Sequence, residues 1–285
     1  MEFVEKYLLE NFDKVKINSM DISKGDVFLA LLGNNKHGNF FIPQAIENGA
    51  KFILTNKKPL KKYKNKRIIF IKELIIFLND LAIKKRKVYK GVVIGVTGSI
   101  GKTSVKENLK YFLSSASYKV SSSIKSYNNN LGIIISLLNM NLSSSFSIFE
   151  IGTNDFNEIK KLTNIVNPEQ TIITNIFPTH LEKLQSTRNI AIEKSDIFNS
   201  KYNENIKLAI LPNNNIDEEF IIEKAFSSKI QSIITYGTKN NSNLKILKIK
   251  NNKLTCNVTL DFNNKIINFK ININQFHRLN NILIC

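Results

Sequence analysis

The spacing of apolar residues changes twice along the chain and divides it into three stretches. Residues 1–83 predict a small α/β unit. Helical spacing over Glu2–Phe12 is followed by a Gly25-Asp26 turn, a strand at Val27–Leu31 and a polar loop at Gly33–Asn39. Ile42–Asn48 has helical spacing and stops at Gly49, a common helix-end residue. Short strands at Lys51–Thr55 and Arg67–Ile71 precede a helix over Glu73–Lys85, which feeds a basic hinge at Lys84–Lys90.

From Gly91 apolar strands alternate with amphipathic helices. Strands are predicted at Val92–Val96, Tyr118–Val120, Phe146–Glu150, Thr171–Thr174, Leu208–Leu211 and Ile233–Tyr236. Helices fill the gaps at Val105–Ser114, Asn130–Leu138, Glu158–Asn164, Ile190–Asn199 and Asp217–Phe226. This rhythm implies a mostly parallel sheet covered on both faces. After Asn240 the period falls to two: Leu244–Lys250, Lys253–Phe262 and Lys265–Ile273 read as antiparallel strands joined by Asn-rich turns, and Gln275–Cys285 begins a helix. The Ser-rich patches at Ser121–Ser123 and Ser143–Ser145 read as loops. The expected architecture is α/β: a small N-terminal domain over residues 1–85, then a central domain over 86–285 with a mostly parallel sheet and a small antiparallel sheet.

One junction in this pattern carries chemistry. Val92–Thr103 reads VVIGVTGSIGKT, a strand entering a glycine-spaced turn that ends in Lys-Thr-Ser before a helix. Such a loop curls its N–H groups toward phosphate oxygens, and the helix N-terminus adds partial positive charge. Lys102 would reach the β/γ-phosphates and the Thr103 hydroxyl would sit on Mg²⁺. The common GxxxxGK[ST] spacing would need glycine at Val96; here the glycines are Gly95, Gly98 and Gly101.

Four further features fall at expected strand ends, where ligands bind in open parallel sheets. The Asn run Asn128-Asn129-Asn130 can cap the following helix or contact a metal-bound phosphate. Glu150 ends an apolar strand, placed like an acid that holds Mg²⁺ or like a solvated strand-end carboxylate. His180 follows the strand Thr171–Thr174 and gains interest only as a partner of Glu150 and Thr103. Lys194 is one lysine among many, and composition alone does not single it out.

The formal charge is +18, from 41 basic and 23 acidic residues. The lysines are spread along the chain among Asn and Ile, which points to genome composition rather than a nucleic-acid surface; the resulting field still favours anionic substrates such as nucleotides. The densest basic runs, Lys57–Arg67 and Lys84–Lys90, read as solvated surface and linker. The two cysteines, Cys256 and Cys285, make no disulfide framework and fit a reducing cytoplasm. The N-terminus lacks the pattern of a secretory signal, and charges interrupt every long apolar run, so no membrane insertion is expected.

Taken together, these residues resemble the Mur ligase family, ATP-dependent amide-bond-forming ligases of peptidoglycan precursor synthesis related to folylpolyglutamate synthetase. Within the family the likeness runs to the branch that adds D-alanyl-D-alanine to UDP-N-acetylmuramoyl-tripeptide. Its phosphate loop reads GVTGSxGKTxxKE, matched by Gly95–Thr103 with Lys106-Glu107. Its NNxxG segment is matched at Asn128–Gly132, and its ExGxN at Glu150–Asn154. Its TNI and AHLE segments are matched at Thr174–Ile176 and Thr179–Glu182, its IAxAKxEIF at Ile190–Phe198, and its HNxxNA helix start at His277–Asn281. In the first domain, KGDVFLALLGNNKHGNFFIPQAIENGA looks like the family's UDP-sugar-binding domain. The chain departs from the family at Asn18-Ser19-Met20 (usually D-S-R), at Lys36–Asn39 (usually DGH) and at Pro212-Asn213-Asn214 (usually Asn-x-Asp).

The resemblance implies roles. Gly98, Ser99, Ile100, Gly101, Lys102, Thr103 and Ser104 would bind ATP phosphates, with Asn129 and Asn281 also at the nucleotide, the latter near adenine. Thr103 and Glu150 would hold one Mg²⁺; His180 and a carbamate on Lys194 would hold a second. Lys102, His180 and Lys194 would be the catalytic set. A carbamate needs a neutral amine, so Lys194 would require a lowered pKa. The family also carries a C-terminal Rossmann-like domain that positions the amine substrate. The chain ends at Cys285 without it. The expectation is therefore a fragment with impaired turnover, or one completed by a separate C-terminal chain. Another Mur-type amino-acid ligase and an inactive nucleotide-binding remnant are the alternatives.

Overall fold

The computed structural model describes residues 2–33, 35–58, 67–198, 206–272 and 279–285. In chain order the elements are α1 (Glu2–Glu10), β1 (Val15–Lys16), β2 (Val27–Ala30), α2 (Ile42–Glu47), β3 (Phe52–Thr55), β4 (Ile68–Phe70) and α3 (Leu74–Val88). Then come β5 (Val92–Thr97), α4 (Lys102–Ser115), β6 (Val120–Ser122), α5 (Asn130–Leu138), β7 (Phe146–Glu150), α6 (Glu158–Val166) and β8 (Gln170–Ile173). They continue with α7 (Leu181–Leu184), α8 (Thr187–Ser195), β9 (Leu208–Pro212), α9 (Ile216–Ser227), β10 (Ser232–Gly237), β11 (Leu244–Asn251), β12 (Thr255–Phe262), β13 (Lys265–Asn272) and α10 (Leu279–Leu283).

Two compact units emerge. The first comprises Met1–Lys90 and Asn130–Ser143; the second comprises Gly91–Asn129 and Ser144–Cys285. In the first unit, β1-β2-β3-β4 form a parallel sheet with a core of Ile22, Phe28, Ala30, Ile42, Ala45, Ala50 and Ile53. Helix α5 belongs to this unit and packs on α3. Its residues Gly132–Leu138 are all buried, as expected of a helix that is apolar all round. The predicted basic hinge is instead the last turn of α3. Lys85 and Arg86 are 0% and 7% exposed, so the run is not a solvated linker. The Lys85 ammonium donates to the carbonyls of Leu8 (3.0 Å), Asn11 (2.6 Å) and Leu138 (2.6 Å), which compensates its burial. The other basic run, Lys57–Arg67, lies mostly outside the described residues.

The second unit is one nine-stranded sheet in the order β13-β12-β11-β10-β9-β8-β5-β7-β6. Strands β6 to β11 pair in parallel, and β11-β12-β13 pair antiparallel. The antiparallel strands are thus not a separate small sheet, because β11 joins β10 in parallel through Tyr236↔Leu244 and Gly237↔Lys245. Ser121 and Ser122, expected in a loop, lie in β6, the parallel edge strand. The core unites Ile94, Val96, Val105, Leu109, Ile148, Ile172, Tyr236 and Ile284, and each fully buried aliphatic side chain contributes about 2 kcal/mol. β5 lies between β7 and β8, where successive connections run to opposite sides, so the carboxyl ends of these strands frame a ligand crevice.

Candidate active site at the phosphate loop

The loop 98–101 leaves the carboxyl end of β5 and turns into α4. Gly98 (φ +142°) and Gly101 (φ +89°) hold backbone conformations that side chains rarely adopt. A Cβ on Gly98 would fall on Thr174, and one on Gly101 would fall on the Asn281 amide, so both neighbours approach to backbone distance. The first N–H groups of α4 have no partner within the helix and form an anion-binding start. Lys102 folds over its own loop, donating to Gly98 O at 2.8 Å and Ser99 O at 3.3 Å. Burial lowers its amine pKa, and the nearby Glu150 charge opposes that shift. Ser104 is half-buried in the first turn of α4.

Register places Glu150 beside this strand: it pairs with Val96. Its carboxylate is 2% exposed. Oε2 accepts from the Thr103 hydroxyl at 2.7 Å and Oε1 from the Asn128 amide at 2.8 Å. Asn128 is seated in turn by Gly152, whose N–H donates to Asn128 O at 2.9 Å and whose missing Cβ leaves room for the Asn128 amide. Lys106, wholly buried, ties down the same wall by donating to Ser123 O at 2.8 Å and to Lys125 O. From the Asn run it is Asn128 that meets Glu150; Asn129 is exposed.

Lys194 sits on α8, 2% exposed, and its amine makes no hydrogen bond or ion pair among the described residues. Burial, with the positive Lys102 adding to it, lowers its pKa to about 7. The adjacent Glu193 serves the fold: its carboxylate accepts from Asn157 N–H (2.7 Å), Ile159 N–H (2.8 Å) and the Thr153 hydroxyl (3.2 Å), capping α6. His180 is exposed at the start of α7 with φ +55°. Its ring makes no hydrogen bond to Glu150, Thr103 or Lys194, so the structure does not bring it into direct contact with the set it was expected to join. His277 and Arg278 lie outside the described residues.

The donor set at Glu150 fits magnesium. One carboxylate and one hydroxyl leave most positions to water and phosphate oxygens, as this ion prefers. Among the described residues no group of three or more His, Cys, Asp or Glu forms a cage. At Lys194, a buried amine with a pKa near neutrality and no partner among the described residues fits the chemistry of carbamate formation, which needs the unprotonated form.

In the first unit the loop expected at the nucleotide sugar is stitched to the carboxyl end of β3. Asn39 accepts from the Thr55 hydroxyl at 2.6 Å and donates to Lys57 O at 2.8 Å, and its N–H donates to His37 Nδ1 at 3.1 Å. Ser19 instead points at Gln44 (2.6 Å).

Sequence reasoning missed the residues that hold the loop from behind. Thr174 and Asn175, directly after β8, bond to the backbone of residues 97–100. The signals were the family match at Thr174–Ile176 and a polar pair closing an apolar strand, and neither gave the two residues a role.

The Mur ligase middle domain matches residues 96–285, and the Mur ligase family catalytic domain matches residues 11–86. The UDP-N-acetylmuramoyl-tripeptide–D-alanyl-D-alanine ligase of Rickettsia prowazekii is 34% identical over 271 residues, covering 95% of this chain and 59% of that protein. The Bacillus subtilis ligase of the same name is 28% identical over 224 residues, covering 79% of this chain and 47% of its own length. The chain thus spans about half the length of the curated relatives it matches. The crystal structure of MurF ligase from Thermotoga maritima in complex with ADP superposes with a TM-score of 0.77 at 25% identity, over 97% of this chain and 62% of that one. With both of its units matched by family domains, and its phosphate loop, Glu150 and Lys194 inside the larger match, the chain belongs to the Mur ligase family.

Proposed function

We propose that the chain forms the nucleotide-sugar-binding part (residues 1–85) and the ATP-binding part (residues 86–285) of a cytoplasmic ligase that adds D-alanyl-D-alanine to UDP-N-acetylmuramoyl-tripeptide. The observation that carries this reading is the Thr103–Glu150 pair, 2.7 Å apart at the mouth of the phosphate loop. It is supported by the relatives' names and by the ADP held by the Thermotoga maritima structure.

A carboxylate is a poor acyl donor. In the proposed reaction a tripeptide carboxylate oxygen bonds to the γ-phosphorus of ATP, and the bond to ADP breaks. The free amine of D-alanyl-D-alanine then attacks the acyl phosphate carbon and loses a proton. Collapse of the tetrahedral centre expels phosphate and leaves an amide. Residues Gly98–Ser104 would hold the phosphates, and Asn129 and Asn281 would flank the nucleotide. The Lys102 ammonium would offset charge on the moving phosphoryl group. Thr103 and Glu150 would hold one Mg²⁺, and His180 with a carbamate on Lys194 a second; bound there, the ions would supply positive charge to the phosphate oxygens.

The test is isotopic. Tripeptide substrate labelled with ¹⁸O in its terminal carboxylate is incubated with the protein, ATP, Mg²⁺ and D-alanyl-D-alanine. Released phosphate carrying one ¹⁸O supports the reading; unlabelled phosphate contradicts it.

A further inference from the structure

We infer that Asn175 is a positioning residue for nucleotide phosphate, acting by locking the backbone N–H and C=O of Ile100 in the phosphate loop. This rests on the nucleotide site proposed above.

The loop has every reason to be soft. It holds two glycines in left-handed or extended-positive conformations, and the side chain between them, Ile100, is 58% exposed and packs little. Yet the segment after β8 fastens it at Thr97, Ser99 and Ile100. Thr174 N–H donates to Thr97 O at 2.9 Å and Ser99 N–H to Asn175 O at 3.1 Å. The Ser99 hydroxyl donates to Phe177 O and accepts from Phe177 N–H, both at 3.0 Å. At Ile100 the Asn175 side chain makes both bonds at once: its Oδ1 accepts from Ile100 N–H and its Nδ2 donates to Ile100 O, each at 2.9 Å. The Thr174 hydroxyl adds a bond to the same carbonyl at 2.5 Å. Asn175 is itself 9% exposed, and the Tyr236 hydroxyl anchors its neighbour through Thr174 O.

The consequence is a division of labour among the loop amides. Those of Ser99 and Ile100 face Asn175, while the N–H groups from Gly101 into the first turn of α4 remain for phosphate. Only an amide side chain supplies a donor and an acceptor in one plane to the N–H and C=O of one residue, and so holds the two peptides that flank Ile100; Asp lacks the donor and Ala lacks both. A flip of the Ile100–Gly101 peptide would turn the Ile100 carbonyl toward the phosphates, repelling a β-phosphate but leaving a ligand without one little affected.

The experiment measures ADP and AMP affinities, with Mg²⁺, for wild type, Asn175→Ala, Asn175→Asp and Thr174→Val by calorimetry. Asn175→Ala is expected to weaken ADP at least tenfold and AMP less than twofold. Asn175→Asp should lose more, because it adds negative charge behind the phosphates. Thr174→Val, which removes one bond to Ile100 and keeps its shape, should weaken ADP about threefold and leave AMP unchanged; it decides the matter if Asn175→Ala fails to fold. ADP and AMP falling by the same factor, or ADP binding within twofold of wild type in these variants, would overturn the inference. Failure of the wild type to bind ADP at all would overturn the nucleotide-site reading, and this role with it.

Discussion

The Thr103 hydroxyl donates to Glu150 at 2.7 Å, joining the first turn of the helix after the phosphate loop to the end of the neighbouring strand. The carboxylate it meets is buried, and its second oxygen is taken by Asn128. Glu150→Gln removes a buried charge and keeps the shape. Its thermal midpoint is expected to match or exceed that of wild type, while the gain in ADP affinity on adding Mg²⁺ falls at least tenfold. Calorimetric titration with and without Mg²⁺ measures both affinities.

Gly152 acts on the same carboxylate at one remove. Its Cβ would come within 2.7 Å of the Asn128 side chain, and its backbone needs no positive φ. Gly152→Ala should therefore displace the Asn128 amide and reproduce the binding defect of Asn128→Ala. The double variant should be no worse than either single one, since both break one contact. Nucleotide titrations of the three proteins check this.

Lys194 makes stability depend on pH. Burial brings its pKa from 10.5 to about 7. Below pH 7 the folded and unfolded chains both carry the proton, and the folded state bears the full cost of the buried charge. Between pH 7 and 10.5 the unfolded chain keeps a proton that the folded chain has released, so this residue's contribution to folding becomes more favourable as pH rises, by about 1.4 kcal/mol per unit. Lys194→Met should be more stable than wild type at pH 6, by roughly 2 kcal/mol, and the gap should close by pH 9. Urea midpoints at the two pH values test this, and a gap that widens with pH would contradict it.

Lys85 holds three carbonyls together in the first unit. Lys85→Met leaves them unpaired in a dry site and should cost about 3 kcal/mol in urea unfolding. Exchange of Lys84, which is exposed and 3.4 Å from Glu5, should cost less than about 0.5 kcal/mol.

Much of this was legible from short-range pattern. The glycine spacing before Lys102 and the strand-end place of Glu150 mark the site because each depends on a few adjacent residues. What was hidden depends on residues far apart. The Asn175 clamp joins positions 75 residues distant, so the local match at Thr174–Ile176 marks the segment without showing what it bonds to. Lys85 reads as a solvated charge, yet convergent carbonyls make its burial tolerable. A period of two in Leu244–Lys250 fixed a strand but not its partner, so its parallel pairing with β10 could not be read from the pattern. His180 matched a family segment, and its residue is exposed with a left-handed backbone, neither of which the pattern shows.

The central claim is that residues 98–104 and Glu150 hold a magnesium-bound nucleoside phosphate, and titration of residues 1–285 with ADP in Mg²⁺ tests it most directly. Saturable one-to-one binding, weakened at least tenfold in Lys102→Met, is the predicted result. No saturable binding, or equal affinity in Lys102→Met, would contradict it.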